Sequence, residues 1–347
     1  MERIFIAIPS CKDAYLNQTI RSAISNASDP GRLYFGIVNN IISEEDYITD
    51  PLILEDKEHF SVLEIKSDRP LGIGASRLLA QMAGSFFVDN PIDFALQIDA
   101  HMIFETGWDD LLIDRQKRLE ALFGSKVAIS NSCDWWSPRD IDGRPVFRDI
   151  ENLLIDAENY KPSQEADEYS PRNAATNVVA PTASLISEGH GRPIPEAKSD
   201  KYMDNEHIWW ESQSSISGHM LFSRFNVITD FLHDPMITWD GDRFVYGFRL
   251  IASGYKLFAV NSPILLHLNS RYQKDENGKD VDNEILKVGL WRSAQDHISS
   301  IISYRDDYRI YKLISGEETG YWGAPDTSAA SYARKIMGPV VDEFYSI

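Results

Sequence analysis

The sequence predicts an α/β protein built on a central, mostly parallel sheet. Three observations carry this expectation: short apolar runs alternate with helix-periodic stretches, most runs end in turn or polar residues, and 347 residues can bury a substantial core. Ile4 to Ile8 is the first strand, closed by a turn at Pro9-Ser10. Leu16, Ile20, Ala23, Ile24 and Ala27 then recur at helical spacing within a helix from Tyr15 to Ala27. Leu33 to Val38 and Ser61 to Ile65 read as strands, Gly74 to Asp89 as a helix, and Phe94 to Ile98 as the next strand. A helix from Trp108 to Phe123 and a strand from Lys126 to Ser130 follow. From Ser132 to Trp210 periodicity is weak and Pro, Asn, Asp and Glu are frequent, as in a long functional loop such as an acceptor flap, or in a solvated insertion with no role. Order resumes at Ser215 to Ser223, with helices at Arg224 to Leu232 and Phe244 to Ala252 and strands at Lys256 to Val260 and Ile264 to Leu268. The tail carries helices near Val288 to Tyr304 and Ser328 to Met337. Residues 1–270 therefore form the main domain, with 132–210 as its insertion and 271–347 as a helical extension packed on it.

Composition excludes several classes. With 34 basic and 53 acidic residues the net charge is −19, which opposes non-specific attraction to nucleic acid or anionic membrane. Cys11 and Cys133 are too few for a disulfide framework, so a reducing, cytoplasmic setting is the default. No apolar run reaches membrane-spanning length.

The chemistry concentrates at Phe94-Ala95-Leu96-Gln97-Ile98-Asp99-Ala100-His101. On an extended strand end, Asp99 and His101 fall at i and i+2 on one face, so both can enter one cleft. A carboxylate beside an imidazole suits Mn²⁺, Mg²⁺ or Zn²⁺, and such an ion bridges diphosphate oxygens. Two residues that only solvate a strand end would read the same way. Pro9-Ser10 and Asn39-Asn40 are placed at neighbouring carboxyl ends, where such sheets bind ligands. His267 lies in an apolar run and is either a satisfied core histidine or a further ligand. In Trp239-Asp240-Gly241-Asp242 an aspartate can cap the following helix, or can face a sugar or acceptor hydroxyl as hydrogen-bond acceptor or base. Ser217-Gly218-His219 permits close backbone approach to a ligand, although His219 can equally be an ordinary loop residue. Gly72 to Arg77 satisfies neither nucleotide-loop pattern, but it sets Arg77 one turn inside a helix, where it can meet a phosphate or orient a carboxylate.

In chain order these segments resemble the Skp1-type N-acetylglucosaminyltransferase family, retaining enzymes of GT-A fold that use a nucleotide sugar and a divalent metal. The stretch Leu96 to Phe104 with Gly107-Trp108-Asp109 resembles the family's Gln-Ile-Asp-Ser-His block, and Ile4 to Ser10 with Asp13 its opening strand and base-binding loop. Leu71 to Arg77, Ser217 to Ser223, His267-Leu268 with Ser270-Arg271, and Tyr332 through Phe344 are similar to its later segments. The order of these motifs is also similar to that of polypeptide N-acetylgalactosaminyltransferases.

The resemblance implies a GT-A, Rossmann-like nucleotide-sugar fold in which Asp99, His101 and His267 hold the metal, Mn²⁺ first and Mg²⁺ second. It implies that Pro9, Ser10, Asp13, Asn39, Gly72, Arg77, Asp99, Ser217 and Gly218 line the donor site, and that Asp242, Asp240 and His219 serve the reaction. The donor would be a UDP-sugar carrying N-acetylglucosamine or another hexose. The acceptor would be a hydroxyl of a protein or glycan in preference to a modified nucleic-acid base. Four positions depart from the family: Asp242 replaces Glu, Asp240 a small residue, Ala100 Ser and Ile73 Pro. The competing readings are a metal-dependent hydrolase and a non-catalytic carbohydrate-binding protein whose eight tryptophans stack on sugars.

Overall fold

The structure, a computed structural model, describes residues 2–11, 13, 15–68, 70–87, 91–130, 134–136, 192–193, 209–212, 216–238, 241–260, 264–268 and 308–337. Most of the 132–210 insertion and the expected helix at Val288 to Tyr304 lie outside the described residues, as do Cys133, Trp239, Asp240, Ser270 and Arg271.

The first half of the sheet is the predicted parallel one. Strands β1 (Ile4–Cys11), β2 (Leu33–Ile41), β3 (Phe60–Lys66) and β4 (Phe94–Ile98) pair in parallel in the spatial order β3-β2-β1-β4. The second half is mixed. β10 (Met220–Arg224) runs antiparallel between β4 and β6 (Val127–Ile129), after which come β11 (Lys256–Val260), β9 (Trp209–Ser212) and β8 (Arg192–Pro193). A separate three-stranded sheet orders β5 (Met102–Phe104), β12 (Leu265–Leu268) and β7 (Asp134–Trp136).

Two apolar layers cover the sheet. On one face Ile4, Ile6, Ile8, Phe94, Leu96 and Ile98 pack with α1 (Leu16–Ser25) and α4 (Trp108–Phe123), at the i, i+2 spacing that a pleated strand dictates. Leu16, Ile20 and Ala23 of α1 supply its helical stripe, and Trp108 is fully buried with its indole N–H donating to the Ala23 carbonyl. The opposite face carries α3 (Ile73–Met82), α5 (Phe225–Asp230) and α6 (Asp242–Ala252). α6 is buried on nearly all sides because α7 (308–315) and α8 (Thr327–Met337) close over it through Ile310, Leu313, Ile314, Ala330 and Ala333. Among the described residues no helix is long and apolar enough to cross a membrane.

One element departs instructively from expectation. β1 does not turn at Pro9-Ser10 but continues to Cys11, with Pro9 opposite Val38 and Ser10 opposite Asn39. A proline is tolerated there because pairing with β4 stops at Ala7, so β1 keeps a neighbour on one side only.

Candidate active site at the carboxyl end of β4

The expected strand end at Asp99 and His101 is a bend. β4 stops at Ile98, and Asp99-Ala100-His101 carries the chain from the main sheet into β5 of the small one. α1 pins this bend with two hydroxyls: Thr19 Oγ1 donates to the Ala100 carbonyl and accepts from Met102 N–H, both at 2.8 Å, and Ser22 Oγ accepts from Phe104 N–H at 2.9 Å. The two polar residues thus sit on the buried face of α1 for a local reason: they satisfy backbone groups of the bend and of β5 after it.

The small sheet then delivers the third residue. β12 pairs antiparallel with β5, His267 opposite Met102, which brings a residue 166 positions away beside His101. His101 Nε2 and His267 Nε2 are 2.9 Å apart, and His267 Nε2 is 3.4 Å from Asp99 Oδ2. One ligand atom from each residue falls within 4.8 Å of the others, and all three residues are partly exposed. Groups this close could share one divalent ion, whose ligands lie about 2.1 Å from it. Two imidazoles with one carboxylate form a donor set of borderline softness.

Protonation differs among the three. Burial pushes the His267 imidazole below its ordinary range, whereas at His101 burial is outweighed by Asp13 and Asp99, which raise it. Burial pushes the Asp99 carboxyl up, but the hydrogen bond to His267 and the charge of Arg77 outweigh it and hold the group well below the usual carboxylate range. His219 stacks face to face on His267, with ring centroids 3.9 Å apart at 18°. Its imidazole is held well below the ordinary range by burial and by the neighbouring His267.

Arg77 is a strut beneath the site. It is 3% exposed, and its guanidinium donates to Asp242 Oδ2 at 2.7 Å, to Asp99 Oδ1 at 3.1 Å and to the Gly218 carbonyl at 3.0 Å. Of the two roles open to Arg77 in the sequence, orienting carboxylates is the one this geometry fills. Gly218 permits the contact, since a Cβ there would lie 2.9 Å from Arg77 Nη2. The helix start behind Arg77 is likewise engaged: Ile73 N–H and Gly74 N–H donate to the Thr238 and Ile237 carbonyls, so these amides face protein. Gly74 is needed for this approach, because a Cβ would sit 2.3 Å from the Asp234 carbonyl oxygen and 2.4 Å from that of Ile237. Gly74→Ala is therefore expected to destabilise the fold by about 1–3 kcal/mol, read as a lower urea midpoint.

Asp242 is the first residue of α6. It is 3% exposed and is taken by Arg77 and by His233, whose Nδ1 is 3.2 Å away. His233 in turn meets Gln97 Oε1 through Nε2 at 3.0 Å and stacks on Tyr246, while Gln81 accepts from its backbone N–H. Burial pushes Asp242 up, yet Arg77 and His233 win and keep it ionised well below the usual range. Sequence reasoning missed His233, Gln97 and Gln81; a lone glutamine in the apolar run of β4 was the available signal.

Burial lowers the His233 imidazole to about 4 from 6.5, against the pull of Asp242. Between those pH values the unfolded chain binds a proton that the folded chain does not. Stability is thus retained above pH 6.5 and falls as pH drops towards 4, by about 3 kcal/mol from this group. Denaturant titrations at stepped pH should show a shallower decline in His233→Gln than in the wild type over that window.

The remaining candidates are placed as follows. Pro9, Ser10 and Asn39 are buried near the ends of β1 and β2, with Asn39 Nδ2 donating to the Asp46 carbonyl. Gly72 ends the loop before α3 with φ at 92°. Ser217 N–H donates to Ser130 Oγ, and Ser217 Oγ accepts from His219 N–H. Asp13, expected at a base-binding loop, is hydrogen-bonded to His101. Asp240 lies outside the described residues.

An α/β sheet thus gathers, near the carboxyl end of a central strand, two imidazoles and a carboxylate that could hold a metal ion. A family model described as glycosyltransferase (GlcNAc) matches residues 58–280, a span that includes Asp99, His101 and His267, and the chain belongs to that family. No curated protein matches the chain by sequence. Among solved structures, a crystal structure of GalNAc-T7 with UDP, GalNAc and Mn²⁺ is similar at TM-score 0.49 and 12% identity, covering 100% of this chain and 56% of that one. A crystal structure of S. aureus TarS is similar at TM-score 0.45 and 9% identity, covering 100% and 44%. The chain spans about half the length of these two proteins.

Proposed function

We propose that the chain is a metal-dependent, retaining glycosyltransferase of GT-A type, moving N-acetylglucosamine or another hexose from a UDP-sugar to a protein or glycan hydroxyl. The carrying observation is the convergence of Asp99, His101 and His267 at the β4 bend, within the segment the family model matches. The Skp1-type relationship and a cytoplasmic setting belong to the same reading and rest on the sequence motifs and on the scarcity of cysteine.

Asp99, His101 and His267 would hold a divalent ion, Mn²⁺ by preference for this mixed donor set. When bound, such an ion supplies electrostatic stabilisation of the charge that develops on a leaving diphosphate. The chain's own residues keep the centre in shape. Arg77 fixes Asp99, and Asp242 neutralises Arg77. His219 stacks on His267 and limits its rotation. Asp242, closed in by Arg77 and His233, is assigned to support of the strut and not to base or nucleophile chemistry. Retention is then assigned to attack from the leaving-group face, with the departing diphosphate taking the acceptor proton.

A panel of UDP-sugars incubated with the protein and Mn²⁺ tests this reading through donor hydrolysis. Turnover of at least one donor, lost on chelation, is expected; no turnover across the panel would refute it.

A further inference from the structure

The resemblance places Asp13 in a base-binding loop, and the structure sets its carboxylate beside His101. Its side chain is 4% exposed. Oδ2 meets His101 Nδ1 at 2.6 Å, and Oδ1 accepts from Tyr15 N–H at 2.9 Å, so both oxygens are already engaged by protein. The opposite ring nitrogen, His101 Nε2, is the atom that faces His267 Nε2 at 2.9 Å. A neutral imidazole that donates from Nδ1 to a carboxylate presents its lone pair at Nε2, and the carboxylate raises that lone pair's basicity.

We infer that Asp13 is a positioning residue that fixes the tautomer and orientation of His101 so that Nε2 points into the Asp99–His101–His267 centre. This rests on the metal reading proposed above. The arrangement follows from chain topology: β1 and β4 are parallel neighbours, so the loop leaving β1 and the bend leaving β4 emerge at the same sheet end. Tyr15 N–H anchors the second carboxylate oxygen as the chain starts α1, the helix whose Thr19 and Ser22 hold the bend itself. The loop therefore holds the His101 ring and the helix after it holds the His101 backbone.

The test titrates Mn²⁺ alone into the full chain, following the free-ion paramagnetic resonance signal, and repeats the titration with Co²⁺ by visible absorption. Asp13→Ala should weaken Mn²⁺ binding by about 10- to 100-fold and alter the Co²⁺ spectrum. Asp13→Asn keeps the volume and one of the two acceptor oxygens without the charge, so it should lose affinity several-fold while its urea midpoint moves less than that of Asp13→Ala. UDP affinity measured at Mn²⁺ concentrations that saturate each variant should be unchanged in both. Equal Mn²⁺ affinity in wild type and both variants overturns the role of Asp13 and leaves the metal reading standing. A fall in UDP affinity at saturating Mn²⁺, with Mn²⁺ affinity intact, also overturns it, and places Asp13 on the nucleotide. Absence of Mn²⁺ binding by the wild type, with or without UDP, refutes the metal reading and this inference with it.

Discussion

Asp99→Ala is expected to abolish metal-dependent UDP binding and to reduce sugar transfer at least a hundredfold. Asp99 is the anionic member of the three-residue centre, so its loss leaves two imidazoles and removes most of the charge complementarity to a divalent ion. The same change deprives Arg77 of one of its two carboxylates, so a stability loss should accompany it. Asp99→Asn separates these effects. The amide keeps an acceptor for Arg77 and nearly the same volume but lacks the charge, so its affinity loss should remain large while its denaturation midpoint moves less than that of Asp99→Ala. Isothermal calorimetry and urea denaturation on the same preparations measure both quantities. Wild-type UDP affinity in the presence of Mn²⁺ for either variant would contradict the assignment.

Asp242→Leu is the second large effect, and it should appear first in stability. Arg77 is almost wholly buried, and Asp242 supplies its shorter ion pair. Removing one partner of a buried pair typically costs about 3–5 kcal/mol, because the remaining charge stays desolvated and incompletely compensated. His233 loses its carboxylate in the same step. Combining Asp242→Leu with Arg77→Met removes both charges and should recover much of the lost stability, since apolar replacements of buried pairs are often neutral. The double variant should still bind Mn²⁺ poorly, because Asp99 has then lost its strut. Recovery of stability together with wild-type metal affinity would show that Arg77 and Asp242 serve the fold alone.

The sequence conveyed the parts of this structure that depend on local periodicity. β4 and α4 fall at the expected residues because an apolar run and a helical stripe are written within a few turns of chain. β1 runs further than expected because tolerance of Pro9 depends on where its neighbour β4 stops pairing, a fact of register that no local pattern holds. The bend at Asp99 was read as a strand end for a similar reason: Thr19 and Ser22, some eighty residues earlier, supply the hydrogen bonds that permit it. α7 went unread, and its role in closing over α6 is visible only through the packing of Ile310 and Leu313.

For the site, residue identity was legible and residue role was less so. The motif order singled out Asp99, His101 and His267, and β5–β12 pairing unites them. The sequence leaves Arg77 open between a phosphate and a carboxylate, and Asp242 between a helix cap and a substrate hydroxyl; in the structure the two are buried and paired with each other. Sequence cannot separate an aspartate facing a crevice from one facing an arginine in the core, because both roles use the same chemistry. His233 carried no motif at all and emerges only from its contacts with Asp242, Gln97 and Tyr246.

Calorimetric titration of UDP into the protein with Mn²⁺ present, repeated after chelation, tests the central claim most directly. The account predicts saturable binding with Mn²⁺ that is lost in chelator and absent in His267→Ala. UDP binding of equal strength with and without the metal, or no binding in either condition, would contradict it.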